Sequence, residues 1–147
     1  MKYRHEWKHE ITAFDVLCLR QRLSAVMQPD PHTSNGRYLV RSLYFDDLRD
    51  QALQDKLNGV SRREKFRLRC YNGDDSYLVL EKKSKLGGLC AKEQARLTRP
   101  QAETLLQGNS AALQDSPDPL VQELCAKMRT RGLRPKTIVD YTREPFV

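Results

Sequence analysis

Cations stand at every second position of Lys65-Phe66-Arg67-Leu68-Arg69-Cys70. A strand points alternate side chains to opposite faces, so this spacing collects Lys65, Arg67 and Arg69 on one face and the apolar residues on the other. The pattern recurs along the chain. Glu81, Lys83 and Lys85 share a face, as do Lys92, Gln94 and Arg96, while Arg4, Glu6 and Lys8 precede them and Tyr141 and Arg143 follow. One such strand reads as the solvated side of an antiparallel sheet. Five strands dominated by Arg and Lys do not, because like charges side by side repel unless an anion sits among them. Guanidinium forks bind phosphate oxygens in pairs, and ammonium groups act as point charges. The sequence has neither Gly-x-x-x-x-Gly-Lys-Ser/Thr nor Gly-x-Gly-x-x-Gly, so a phosphate site here is built from strand side chains.

Three carboxylates, Glu6, Glu10 and Glu81, fall on the cationic face. They either balance neighbouring Lys and Arg or hold a metal ion, directly or through water. Attraction between opposite charges on adjacent strands favours balance. His5 and His9 alternate onto the other side with Tyr3, Trp7 and Ile11 and read as packed or half-buried residues. Tyr44 and Asp46 close the second strand and read first as structural. The four cysteines (Cys18, Cys70, Cys90, Cys125) form no C-x-x-C pair, and the three histidines do not complete a zinc set. The cysteines are expected as reduced, mostly buried thiols.

The elements that must hold this face follow from periodicity and punctuation. Residues 2–11 are expected as a strand. Thr12 and Asp15 make a capping box for a helix carrying Val16, Leu19, Leu23 and Val26, stopped by Pro29. Further strands are expected at Tyr38–Asp46, Lys65–Tyr71, Tyr77–Lys85, Leu89–Leu97 and Lys136–Arg143, with turns at Asn72-Gly73-Asp74-Asp75 and Gly87-Gly88. Helices are expected within Asp47–Gly59, at Pro100–Leu106, and from Asp118-Pro119 to Gly132. The class is therefore α+β: an antiparallel sheet curved around a ligand, with helices packed outside.

The chain has 147 residues, 39% hydrophobic and 31% charged, with a net charge of +7. That suits a single domain, residues 1–147, with an anionic partner. No apolar stretch is long enough to span a membrane, and the N-terminus has no apolar signal region. The expected location is the cytoplasm. The sixth strand has no hairpin partner after it, so the sheet is expected to stay open, to lack C-terminal strands, and to offer an edge for oligomerisation.

Five segments resemble the VTC-type polyphosphate polymerase domain of the triphosphate tunnel metalloenzyme (CYTH-like) superfamily. Glu6-Trp7-Lys8-His9 is similar to its opening Glu-x-Lys strand, and Arg41-Ser42-Leu43-Tyr44-Phe45-Asp46 to its Ser-x-Tyr-Phe-Asp signature. Arg63 to Tyr71 resembles its Arg-x-Arg-x-Tyr strand, Leu80-Glu81-Lys82-Lys83 its Glu-x-Lys strand, and Tyr141 to Phe146 its Tyr-x-Arg-x-x-Phe strand. The resemblance implies an eight-stranded tunnel and a nucleoside triphosphate held by its phosphates with Mn²⁺ or Mg²⁺. Lys8, Arg67, Arg69, Lys83 and Arg143 would be phosphate ligands. Lys92 would be a looser one, with Gln94 competing for its position. Arg67, Arg69 and Lys83 would be the catalytic clamp.

On that basis the expected reaction is phosphoryl transfer from ATP to inorganic phosphate or polyphosphate. One alternative is an inorganic triphosphatase or polyphosphatase in the same tunnel. Another is a non-catalytic module for polyphosphate or other anions. Nucleic acid is not expected, because Phe45 and Phe66 alternate onto the apolar side, away from the basic face where bases would stack.

Overall fold

The computed structural model describes residues 2–147. It is α+β, with six strands in one curved, unclosed antiparallel sheet. The strands are β1 (Tyr3–Arg4), β2 (Tyr38–Asp46), β3 (Arg62–Tyr71), β4 (Asp74–Leu86), β5 (Leu89–Leu97) and β6 (Arg134–Arg143). Their order is β1-β5-β4-β3-β2-β6, so β1 and β6 are the edges. The helices are α1 (Ala13–Ser24), α2 (Gln51–Leu57), α3 (Arg99–Leu106) and α4 (Pro119–Arg131), with a 3-10 turn at Ser110–Leu113.

Local chemistry sets the register. Tyr71 pairs with Asp74 across the two-residue loop Asn72-Gly73, whose φ angles of 52° and 71° are those a type I′ hairpin demands. The turn at Gly87-Gly88 likewise brings Leu86 opposite Leu89. Thr12 with Asp15, and Thr98 with Gln101, form capping boxes on α1 and α3. Asp118 caps α4, and Gly132 ends it in the left-handed region at φ 69°.

One face of the sheet makes the core. Phe45, Phe66, Leu68, Leu80, Ala95 and Leu97 pack on Ala102 and Leu105 of α3 and on Leu120, Val121, Leu124, Cys125 and Met128 of α4. Each fully buried Leu or Phe there contributes about 1.5–3 kcal/mol. All four cysteines are free; Cys90 and Cys125 are buried, and Cys18 and Cys70 are half-buried. Among the described residues no helix is long and apolar enough to cross a membrane.

The N-terminal expectations need correction. Only Tyr3–Arg4 of the expected strand 2–11 is in the sheet, paired as Tyr3 with Ala91 and Arg4 with Cys90. The partner strand gives out one residue later, where β5 begins at Leu89 after the Gly87-Gly88 turn, so residues 5–11 have no ladder to join. His5 and His9 are exposed rather than packed, and Trp7 is 81% exposed. The stripe expected on α1 is also not core. Val16 and Leu23 are half-buried, Leu19 and Val26 are exposed, and no residue of α1 is buried. This helix is tied instead to the chain end by Arg20–Glu144 at 2.6 Å and by backbone bonds between Gln28 and Val147.

Candidate phosphate-binding face

On the sheet face opposite the core, register stacks the alternating charges into rows. Lys65, Lys83 and Lys92 form one row across β3, β4 and β5, and Arg67, Glu81 and Gln94 form the next. On β2, Tyr44 stands opposite Arg67 and Ser42 opposite Arg69. β6 adds Tyr141, opposite Val40, and Arg143, opposite Tyr38. A cavity of about 330 Å³ opens over these rows. Lys8, Arg67, Arg69, Lys83, Lys92 and Arg143 all line it, together with Arg4, Glu6, Tyr44, Lys65 and Tyr141. Eight cationic side chains thus face one lining carboxylate, Glu6.

Glu81 lies beneath them, fully buried. One of its oxygens accepts from Arg67 Nε and Nη2, each at 2.6 Å, with Arg69 Nη1 at 3.4 Å. The other accepts from Gln94 Nε2 at 2.7 Å, with Lys92 Nζ at 3.5 Å. Burial pushes its pKa up, but Arg67 and Arg69 override that and hold the carboxyl below its ordinary range. Arg69, 3% exposed, also donates to Ser42 Oγ at 2.9 Å and to the Tyr141 hydroxyl at 3.1 Å. Arg69 is therefore the floor of the cavity. Arg67 is only partly covered and donates to the Tyr44 hydroxyl at 3.1 Å. Burial raises the Tyr44 phenol, and Arg67 and Lys65 bring it below its usual value.

Nearer the opening, Lys83 is paired with Glu6, and the hydrogen bond from Lys83 holds the Glu6 carboxyl below its usual range. Lys65 has no carboxylate partner among the described residues. Its ammonium sits 5.0 Å from the centre of the Tyr44 ring, and burial lowers its pKa. Arg143 donates to the Tyr141 hydroxyl at 2.8 Å. Lys92 reaches the cavity, while Gln94 braces Glu81 beneath it.

The expected metal candidates are otherwise engaged. Both Glu81 oxygens are occupied by cations and an amide, Glu6 is paired with Lys83, and Glu10 is exposed and does not line the cavity. Among the described residues no group of three His, Cys, Asp or Glu side chains is placed to hold a metal. This donor set does not fit a metal ion held by protein ligands alone. Asp46 is structural: its carboxylate accepts from the backbone N–H groups of Asp47, Ala52 and Leu53 and so orders the start of α2.

Sequence reasoning left Lys65 out of the ligand set although it shares the alternation of Arg67. It placed Tyr141 on this face and noted Tyr44 at a strand end, but passed over Tyr38, Tyr71 and Tyr77. Phe45 and Phe66 do point to the core, but Tyr38, Tyr44, Tyr71, Tyr77 and Tyr141 cluster with the arginines of the open face. The two phenylalanines therefore do not represent the aromatics of this face. The same period of two, counted from Arg69 to Tyr71, was the signal for the missed ones.

A family model described as the VTC domain matches residues 3–147. Among solved structures the chain is similar to one described as a "putative adenylate cyclase" from Bacillus halodurans. The TM-score is 0.57 and the identity 16%, over 98% of this chain and 67% of that one. The likeness is one of fold, the CYTH-like tunnel fold. No curated protein matches the chain.

Proposed function

The chain belongs to the VTC-domain family, and we propose that its open cationic face binds ATP by the phosphates and passes the terminal phosphoryl group to inorganic phosphate or a growing polyphosphate chain. The observation that carries this reading is the excess of eight lining cations over two carboxylates, Glu6 in the wall and Glu81 beneath it, at a cavity of about 330 Å³. An acceptor phosphate oxygen forms the new bond to the terminal phosphorus as the bond to the bridging oxygen breaks, and ADP leaves with that electron pair. Such transfer needs little covalent help from the protein; positioning and charge stabilisation do most of the work. Arg67, Lys83, Lys92 and Lys65 stabilise charge spreading over the transferred group, and Lys8 and Arg143 hold the rest of the phosphate chain. Arg69 works mainly through others, fixing Glu81 and Tyr141 so that Arg67 points correctly. An ionised acceptor phosphate is already a nucleophile, so no general base is required.

The test is ADP release from ATP in the presence of Mg²⁺ or Mn²⁺, with and without added phosphate, and with products sized on a gel. ADP together with lengthening polyphosphate supports transfer. ADP with free phosphate and no chain means hydrolysis instead, and tight binding without turnover means an anion-binding module.

A further inference from the structure

Beyond the phosphate cavity the open face changes character. Tyr38 and Tyr71 meet edge to face with ring centres 5.5 Å apart, and Tyr77 stands 6.2 Å from Tyr71. The Arg96 guanidinium lies 4.7 Å from the centre of the Tyr77 ring. Val40 and Val79, both buried, fill the sheet at this end, so the shelf is packed from below. Tyr77 keeps 44% of its surface exposed. The shelf is continuous with the cavity, since Arg69 and Arg143 both donate to the Tyr141 hydroxyl in the cavity wall and Arg143 stands opposite Tyr38 in the register.

The geometry points to this aromatic shelf as the station for the base of a nucleoside triphosphate whose phosphates lie over Arg67 and Lys83, which rests on the phosphate reading above. Glu81, opposite Arg67, stands four residue steps along β4 from Tyr77, about 13 Å at the rise of a strand, comparable with an extended nucleotide from terminal phosphate to base. Stacking on the exposed part of Tyr77, beside Arg96, is open to any base, because every base has a π-face. The shelf therefore selects a nucleotide over a bare phosphate chain and discriminates little among bases. A path for a polymer would need free aromatic faces repeated among the cations; here Tyr44 and Tyr141 stand among them but are engaged by Lys65, Arg67, Arg69 and Arg143, while Tyr38, Tyr71 and Tyr77 gather at one end. The inference also sets polarity, with the transferred phosphate at the Lys83 end.

The experiment is calorimetric titration of the 147-residue chain with tripolyphosphate and with non-hydrolysable ATP and CTP analogues. Charge alone favours tripolyphosphate, so a preference for the nucleotides isolates the shelf. Both analogues should bind about tenfold more tightly than tripolyphosphate. Tyr77→Leu should erase that preference with tripolyphosphate affinity unchanged, Tyr77→Phe should keep it, and Arg96→Gln should reduce it. Equal affinities in the wild-type chain, or a Tyr77→Leu loss shared by all three ligands, would overturn the inference while leaving the phosphate site standing. Competition by a short oligonucleotide without a triphosphate, stronger than by the nucleotides, would overturn it too. No tripolyphosphate binding at all would sink the phosphate reading and this inference with it.

Discussion

Lys82 and Lys83 are neighbours in β4 and point to opposite faces of the sheet. On the helix side Lys82 donates to Glu123 at 2.7 Å and lies within 4 Å of Glu64 and Glu93. Lys127 bridges Glu64 and Glu123 in the same network. The cleft there is larger, about 740 Å³, yet Glu64 and Glu123 lie among its cations and Phe45 and Phe66 share its wall. On the open side Lys83 pairs among the described residues only with Glu6, which sits on an irregular segment, and the surrounding cations exceed the carboxylates. Paired charge on one face is structure. Unpaired charge on the other is stored repulsion that a polyanion relieves. The larger cleft is thus the one whose charges are balanced.

Removing Glu81 should break the contrast most severely. Glu81→Ala leaves Arg67 and Arg69 buried without their counter-ion and should cost about 3–5 kcal/mol of stability, read by denaturant unfolding. Glu123→Ala, in the partly exposed network of the other face, should cost about 1 kcal/mol or less. Tripolyphosphate should raise the melting temperature of Glu81→Ala more than that of Glu123→Ala, because the anion replaces the lost carboxylate only on the open face.

Next in size is Arg67→Ala. It should weaken tripolyphosphate binding by about 1.5–3 kcal/mol, roughly ten- to a hundredfold, with little change in melting temperature beyond the loss of its Glu81 contact. Acid should act in a defined direction. Glu81 and Glu6 have pKa values held below those of the unfolded chain, so they add stability above the ordinary carboxylate range, and it is lost as pH falls through their folded values. Stability measured from neutral pH down to about pH 3 should fall once the pH drops below the ordinary carboxylate range near 4. Glu81→Gln should flatten the fall. The smallest effect concerns Glu6, which occupies Lys83 as a phosphate would. Glu6→Gln should tighten tripolyphosphate binding a few-fold, and weaker binding would show that Glu6 supports the ligand rather than competing with it.

Much of this face could be read before any coordinates, for a physical reason. Alternation in Lys65–Cys70 and around Lys83 is local, and the Asn72-Gly73 and Gly87-Gly88 turns fix its register, so side-chain direction followed from counting by two. The core stripe of α4 was legible in the same way, with Leu120, Leu124, Cys125 and Met128 buried together. The N-terminus was not. Residues 2–11 alternate well enough for a strand, but a strand exists only where a partner runs beside it, and β5 turns away at Gly88. Nor could spacing show that Arg69 is spent on Ser42, Tyr141 and Glu81 while Lys65 is left without a carboxylate, since those partners come from β2, β6 and β4. Pattern reports which face a side chain takes, and tertiary pairing decides what charge remains there.

The adjacent lysines supply the most direct test of that division. Tripolyphosphate is titrated calorimetrically into the wild-type chain, Lys82→Met and Lys83→Met at two salt concentrations, with thermal melts to confirm folding. The account predicts that Lys83→Met loses about tenfold in affinity and part of the salt dependence, while Lys82→Met binds as the wild type does and loses only stability. Equal losses in the two variants, or a larger loss in Lys82→Met, would place the anion on the helix-covered face and contradict the account.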